Sequence, residues 1–208
     1  MGYAARMTNA PTGVGRRGPY AKSTERRRTI IDAAYAVFVA RGYQGGSLQE
    51  VADVVGMSQT SLLHYFPTKS HLLLAVLNRR DTVARDGSPP PADESMAESV
   101  LRQAAFNETY PGMAELYAIL SAESLTAEHP GREFFIDRFT SLRTTYAAGF
   151  VELAARGRLR PGVDPVRAAT SLVALWDGLQ LQWLYAPGEV DVVAALGDYL
   201  DLVVLPEG

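Results

Sequence analysis

The 208-residue sequence has no cysteine. That excludes a disulfide framework, thiolate chemistry and every cysteine-based metal site, and it suits a reducing compartment, so a cytoplasmic location is expected. Histidine is scarce: His64, His71 and His129 are the only three, and they lack the His-Glu-x-x-His spacing. No metal and no cofactor is expected from them. No uncharged apolar run approaches ~18 residues, so no membrane span is expected. Arg6 near the N-terminus has no apolar stretch behind it, unlike a secretory leader. No segment alternates with the period of a strand, and there is no internal repeat, which leaves an all-α fold. With 47% hydrophobic residues the chain can fill one large core or two small ones.

An excess of positive charge is also missing overall, since the formal net charge is −3. The distribution along the chain matters more. Residues 1–85 carry 12 Lys and Arg against 5 Asp and Glu, a net of +7, whereas residues 86–208 carry 8 against 18, a net of −10. A basic N-terminal lobe attracts a polyanion and an acidic body is repelled by it.

What is present is helical periodicity, punctuated by caps and breakers. Residues 1–22 are rich in Gly, Pro and Ala, with Arg16, Arg17 and Lys22, and read as a disordered basic arm. A first helix is expected from Ser23 or Thr24, with Ile30, Ala34, Val37 and Phe38 as its stripe and Gly42 as its end. After residues 47–66, a fourth helix is expected over about 68–85, and Gly87-Ser-Pro-Pro-Pro91 then breaks the chain. Ser95 with Glu98 is a capping box that opens a fifth helix. A sixth follows over about 113–127 and a seventh over about 132–156. Asp164-Pro165 starts an eighth, which runs to about Tyr185, and Pro187-Gly188 separates it from a ninth that reaches about Leu205.

The densest signal lies at residues 47–69. Ser47 with Glu50 forms a capping box, and Leu48, Val51, Ala52 and Val55 recur at helical spacing. Gly56 supplies the positive φ that ends that helix. Ser58 can cap the next, placing Gln59, Thr60 and Ser61 in its first turn. Leu62 and Leu63 follow, Pro67 stops the helix and Thr68 caps another. Two short helices about a glycine turn have the geometry of a helix-turn-helix DNA reader, whose second helix points its N-terminal residues at base edges. An αα-corner in a helical enzyme has the same geometry, and the basic charge of this lobe favours the reader. Gln59 can pair with adenine, the Thr60 methyl can touch a thymine methyl, and none of Gln59, Thr60 and Ser61 suits a core.

This segment resembles the DNA-binding domain of the tetracycline-repressor (TetR) family of bacterial regulators. The matching positions are Ser47, Val51, Ala52, Gly56, Met57, Ser58, Leu62, Tyr65, Phe66 and Lys69. Thr60 stands where the family usually has Gly, and Leu63 stands where it has a phosphate-touching Tyr. The resemblance implies that Gln49 reaches a base and that Ser47, His64, Tyr65 and Lys69 hold the DNA backbone or lie beside it. It also implies a three-helix DNA-binding domain (23–67) and a larger C-terminal helical bundle for ligand binding and dimerisation (68–208), about nine helices in all, the fourth helix connecting the two. The implied partners are a double-stranded operator, a small-molecule effector and a second copy of the chain, joined through the helices at about 165–185 and 189–205.

In the C-terminal lobe, Trp176 and Gln180 share a face of the eighth helix with Leu179 and Trp183, and Glu123 lies in register with Leu116, Ile119 and Leu120. Phe106, Tyr110, Tyr117, Phe135 and Phe139 can supply aromatic walls. A mostly apolar cavity with a few polar groups is what a small-molecule site requires, although aromatic stripes at this spacing also build plain cores. Two local matches fail on context. Gly13-Val-Gly-Arg-Arg-Gly18 has the letters of a dinucleotide fingerprint but no strand before it and Pro19 after it. Gly56-Met-Ser58 joins helices and not the strand and helix of a nucleophile elbow. Against the regulator reading stand a small all-α enzyme using Glu123 with His129 or an arginine, and a DNA reader whose C-terminal lobe only dimerises.

Overall fold

The computed structural model describes residues 19–86 and 94–206. Among them nine α-helices follow one another: α1 (Pro19–Gly45), α2 (Leu48–Val54), α3 (Gln59–Tyr65), α4 (Lys69–Asp86), α5 (Met96–Glu108), α6 (Pro111–Glu123), α7 (Arg132–Ala155), α8 (Pro165–Tyr185) and α9 (Val192–Val203). Extended pairing among the described residues is limited to one antiparallel bridge between Leu159 and Val204. The fold is all-α, with a helix-turn-helix at the N-terminal end and a larger helical body behind it. Arg16, Arg17, the Gly13–Gly18 match and the Gly87–Pro91 break lie outside the described residues.

Local chemistry explains most helix ends. The side chains of Ser47, Ser58, Ser95, Asp164 and Asp191 each accept a backbone N–H from the residue three positions on. The box at Ser95 is complete, with the Glu98 carboxylate accepting the Ser95 N–H at 2.8 Å. At α2 Ser47 Oγ accepts the Glu50 N–H at 3.1 Å, while the Glu50 carboxylate pairs with Arg41 Nε at 2.8 Å. The cap is therefore tied back to α1.

The first and sixth helices differ in extent from the sequence expectation. Residues 19–22 are helical and not part of a disordered arm, because Pro19 suits a first helical turn, where its fixed φ and missing N–H cost nothing. The sixth helix starts at Pro111 rather than Met113, for the same reason, and ends at Glu123 rather than Ala127. Pro111 thus stands in the first turn of the helix. Gly42 (φ 68°, ψ −177°) breaks the helical dihedrals as expected, although helical turns resume to Gly45.

Two cores result. The first joins Ile30, Ala34 and Phe38 of α1, Val51 and Ala52 of α2, Leu62 of α3, Phe66, and Leu72, Leu73 and Val76 of α4 with Met113, Leu116 and Leu120 of α6 and Phe135 of α7. The second joins Val100 and Ala104 of α5, Phe150 of α7, Ala169 and Leu172 of α8, and Leu196 and Leu200 of α9. Apolar burial in the reader thus continues without interruption into the body, and α6 is the shared wall.

That wall is close. A Cβ built on Gly112 would stand 2.6 Å from the Val39 carbonyl oxygen and 3.0 Å from that of Phe38. Backbone cannot yield as a side-chain tip can, so only glycine fits. Ala in place of Gly inside a helix normally gains up to about 1 kcal/mol. Gly112→Ala is expected to do the opposite and lower stability by about 1–3 kcal/mol, as overpacking does. Gly197→Ala, whose Cβ would meet Leu101 at an ordinary 3.8 Å, is expected to be neutral or stabilising. Thermal melts of both variants check the contrast; equal behaviour would refute the close approach.

Candidate nucleic-acid interface and effector cavity

The reader helix α3 is seven residues long, too short to hold itself, and contacts from its cap, the core and α1 fix it and its neighbour α2. Leu62 and Phe66 are fully buried in the first core. Ser58 Oγ accepts the Ser61 N–H at 3.1 Å and lies 2.9 Å from Ser61 Oγ. Arg27 of α1 donates from Nη1 to the Tyr65 carbonyl at 2.9 Å and lays its guanidinium 4.1 Å over the Phe66 ring. Arg26 donates to the Val55 carbonyl, at the end of α2, at 3.1 Å. These arginines satisfy carbonyls at helix C-termini, where a cation also meets the favourable end of the helix dipole. In the fold their guanidinium groups bind the two short helices to α1.

Held this way, α2 and α3 present the expected DNA-facing residues unevenly. Ser47, Gln49, Thr60, Ser61 and His64 are exposed, and Gln59 is half-buried. Gln49 Nε2 donates to Asp53 Oδ1 at 2.7 Å, so it is steered along the helix surface. Tyr65 is half-buried and packs against the first core. Lys69 is half-buried too, with its ammonium 5.3 Å from the centre of the Phe38 ring. Burial lowers its pKa, and the nearby Glu123 carboxylate opposes that shift. Lys69 and Glu123, expected at two separate sites, therefore interact across the junction of α4 and α6.

The other expected cavity residues fall into three groups. Tyr117, Phe135 and Phe139 form an aromatic run, with ring centroids 5.5 Å and 6.3 Å apart along it. They belong to the first core or pack on it. Phe106 and Tyr110 touch each other at 5.2 Å, and Phe106 is exposed. Trp176 and Gln180 alone line a cavity, with Ala104, Asn107, Glu108, Ala114, Trp183 and Val192. Glu108 is a lining residue that the sequence reading did not single out. Its signal was available, since it stands one helical turn after the buried Ala104.

Beside Trp176 lies a polar group that sequence reading also missed. Asp177 is half-buried on α8, and desolvation raises its pKa from 3.8 to about 6 in spite of the opposing Arg138 cation. Tyr146, whose ring lies 6.5 Å from that of Trp176, is pushed up to about 12, chiefly by burial. The Arg138 guanidinium sits 5.0 Å from the centre of the Tyr117 ring. The folded chain holds the Asp177 proton more tightly than the unfolded chain. The stability linked to it is complete below the unfolded value near 3.8 and is lost as pH rises through about 6. Asp177→Asn is expected to remove that fall and to raise stability above pH 6, by on the order of 3 kcal/mol at most. Denaturant melts of both proteins between pH 4 and pH 7 check it; parallel curves would contradict the shift.

The sequence pattern described as bacterial regulatory proteins, tetR family, matches residues 30–76. The one described as BetI-type transcriptional repressor, C-terminal, matches residues 96–204. The HTH-type transcriptional activator FasR of Mycolicibacterium smegmatis is 44% identical over 69 residues, which span 33% of this chain and 32% of FasR. The chain thus spans only about a third of that relative, and 26% of the regulator RutR of Escherichia coli. The HTH-type transcriptional regulator BetI of Burkholderia thailandensis is 30% identical, covering 87% of this chain and 94% of BetI. Among solved structures, a transcriptional regulator of Saccharomonospora viridis in complex with choline shares the fold, with TM-score 0.72 and 24% identity over 88% of this chain and 100% of the other. A reader helix locked onto a basic N-terminal lobe, a helical body sharing its core, and a pattern match over both place this chain in the TetR family of bacterial transcriptional regulators.

Proposed function

We propose that the chain is a homodimeric, ligand-responsive repressor that works in the cytoplasm on a near-palindromic operator. The observation that carries this is the continuity of the first core. A DNA reader that shares buried side chains with the wall of an effector lobe cannot be indifferent to that lobe's conformation. In this reading Gln49, Gln59, Thr60 and Ser61 meet base edges, and Ser47, His64, Tyr65 and Lys69 set the helix against the backbone. The two recognition helices of a dimer enter successive major grooves, about 34–36 Å apart. Effector binding in the C-terminal lobe moves α4 and α6, changes that separation and releases the operator.

The dimer is assigned to α8 and α9. Ala174, Gly178, Leu181 and Tyr185 recur along one face of α8, where Leu181 is 47% and Tyr185 85% exposed, and Leu202 of α9 is 71% exposed. An apolar helical face of this kind is stable in water only when covered. Two such helices from each copy make a four-helix bundle.

Two experiments test the reading. Gln59→Ala with Thr60→Ala is expected to lose operator affinity at about 1–3 kcal/mol per readout pair removed, with the salt dependence of binding unchanged. Footprinting upstream of the chain's own gene at two salt concentrations measures both. A double variant with full affinity and base preference would sink the assignment of recognition residues. Leu181→Glu with Leu202→Glu is expected to yield a folded monomer in sedimentation and to abolish operator binding. A variant that stays dimeric removes α8 and α9 from the interface.

A further inference from the structure

The outward surface of α2 holds a carboxylate that local energetics do not explain. Asp53 is exposed and is the last residue but one of the helix. A negative charge there meets the negative end of the helix dipole. On a lobe that faces DNA it also repels phosphates. Its side-chain partner among the described residues is Gln49, one turn earlier, whose Nε2 donates to Asp53 Oδ1 at 2.7 Å. A bond at this spacing steadies a helix slightly, by about as much as the dipole takes away. The stability of α2 therefore does not account for Asp53.

What the bond does fix is the direction of the Gln49 amide. A carboxylate accepts and does not donate, so the NH2 end faces Asp53 and the carbonyl oxygen Oε1 turns away from it. We propose that Asp53 is a positioning residue for base readout. It makes Gln49 present Oε1 to the major groove, so that one operator position is read by its exocyclic amine. This rests on the reading above that Gln49 meets a base edge, and it names what Gln49 selects there. Adenine N6 and cytosine N4 offer such a donor, whereas guanine N7 and O6 and thymine O4 only accept. An amine meets Oε1 directly and finds the carboxylate favourable. A keto edge could reach only the second Nε2 hydrogen and would bring its own negative oxygen beside the carboxylate. Gln59 of α3 has no such side-chain bond among the described residues, so its amide is free to turn either way.

In the test, the full-length protein selects its operator from random duplexes, and competition binding then ranks all four base pairs at each position of a half-site. Gln49→Ala locates the position that Gln49 reads, because preference there alone should relax. At that position the unaltered protein should favour A or C over G or T on one strand by about tenfold. Purine in place of adenine, or 2-pyrimidinone in place of cytosine, lacks the amine and should lose that advantage, a loss absent from Gln49→Ala. Asp53→Asn should cut the ratio to about threefold or less, since an Asn amide donates as well as accepts and lets Gln49 turn. Losing a negative charge raises affinity for every duplex alike, so the ratio at this one position, and not affinity, reports the orientation. Preference at the position that Gln59→Ala relaxes should not change. Circular dichroism confirms that each variant is folded. The proposal is overturned if Asp53→Asn leaves the ratio unchanged, or if the amine-free bases bind as well as A or C; Gln49 then still reads a base, without direction from Asp53. If Gln49→Ala relaxes no position, the proposal and the role of Gln49 fall together. A protein that selects no sequence removes the operator-binding function as well.

Discussion

The backbone of α6 lies directly against the backbone of α1 at Gly112, and the rest of the molecule depends on that approach. Two helices can come so close only where one has no Cβ. Their proximity lets Met113, Leu116 and Leu120 reach the same core as Ile30, Ala34 and Phe38. A three-helix reader with seven-residue second and third helices buries little apolar surface by itself. Here α4 and α6 complete its core. Stability and communication between the lobes therefore have one source.

Polar side chains do two different jobs in the reader, and the fold separates them. Arg26, Arg27 and Arg41 are spent on carbonyl oxygens, a ring face and the Glu50 carboxylate, contacts that hold α2 and α3 at a fixed attitude to α1. Thr60, Ser61 and His64 remain exposed on the rigid element so created. Base readout needs this division, because a side chain discriminates between bases only when the helix beneath it does not move to accommodate the wrong one. Net positive charge counted from the sequence does not show which arginines are already engaged.

The parts of the fold written in short-range chemistry were legible. Ser58, Asp164, Gly56 and the stripes of α1 and α2 act within a turn or two of themselves, and the helices appear where those signals stand. The errors at Pro19 and Pro111 share a cause: a proline at a first helical turn and a proline in a loop look alike without neighbours. The full capping box expected at Ser47 was half lost to Arg41, a partner nine residues before Glu50 that no local pattern reveals. The cavity was least legible. Trp176 and Gln180 were found because one helix supplies both. Glu108 comes from α5, and only the packing of α5 on α6 and α9 brings it opposite. Tyr117 and Phe135 had the right chemistry for a ligand wall but meet each other, and so build core.

A ligand in that cavity can act on DNA only if it binds one arrangement of the lobe better than another, and only through groups that touch. Such contacts exist in sequence. Trp176 lines the cavity and faces Tyr146 of α7. Arg138, on the same helix, faces Asp177 electrostatically and lies over the Tyr117 ring of α6. The next step is the glycine contact from α6 to α1, and α1 holds α2 and α3 through Arg26 and Arg27. Each contact on this route is either close-packed or charged, and neither kind deforms smoothly, since packing fails by overlap and a buried charge by losing its partner. A displacement of Trp176 is therefore passed on rather than absorbed. The coupling required is modest, roughly 1–3 kcal/mol, so a single electrostatic interaction such as that of Arg138 with Asp177 can matter to it. The quantity that decides whether this route carries the signal is the dependence of ligand-induced operator release on the Arg138–Asp177 pair.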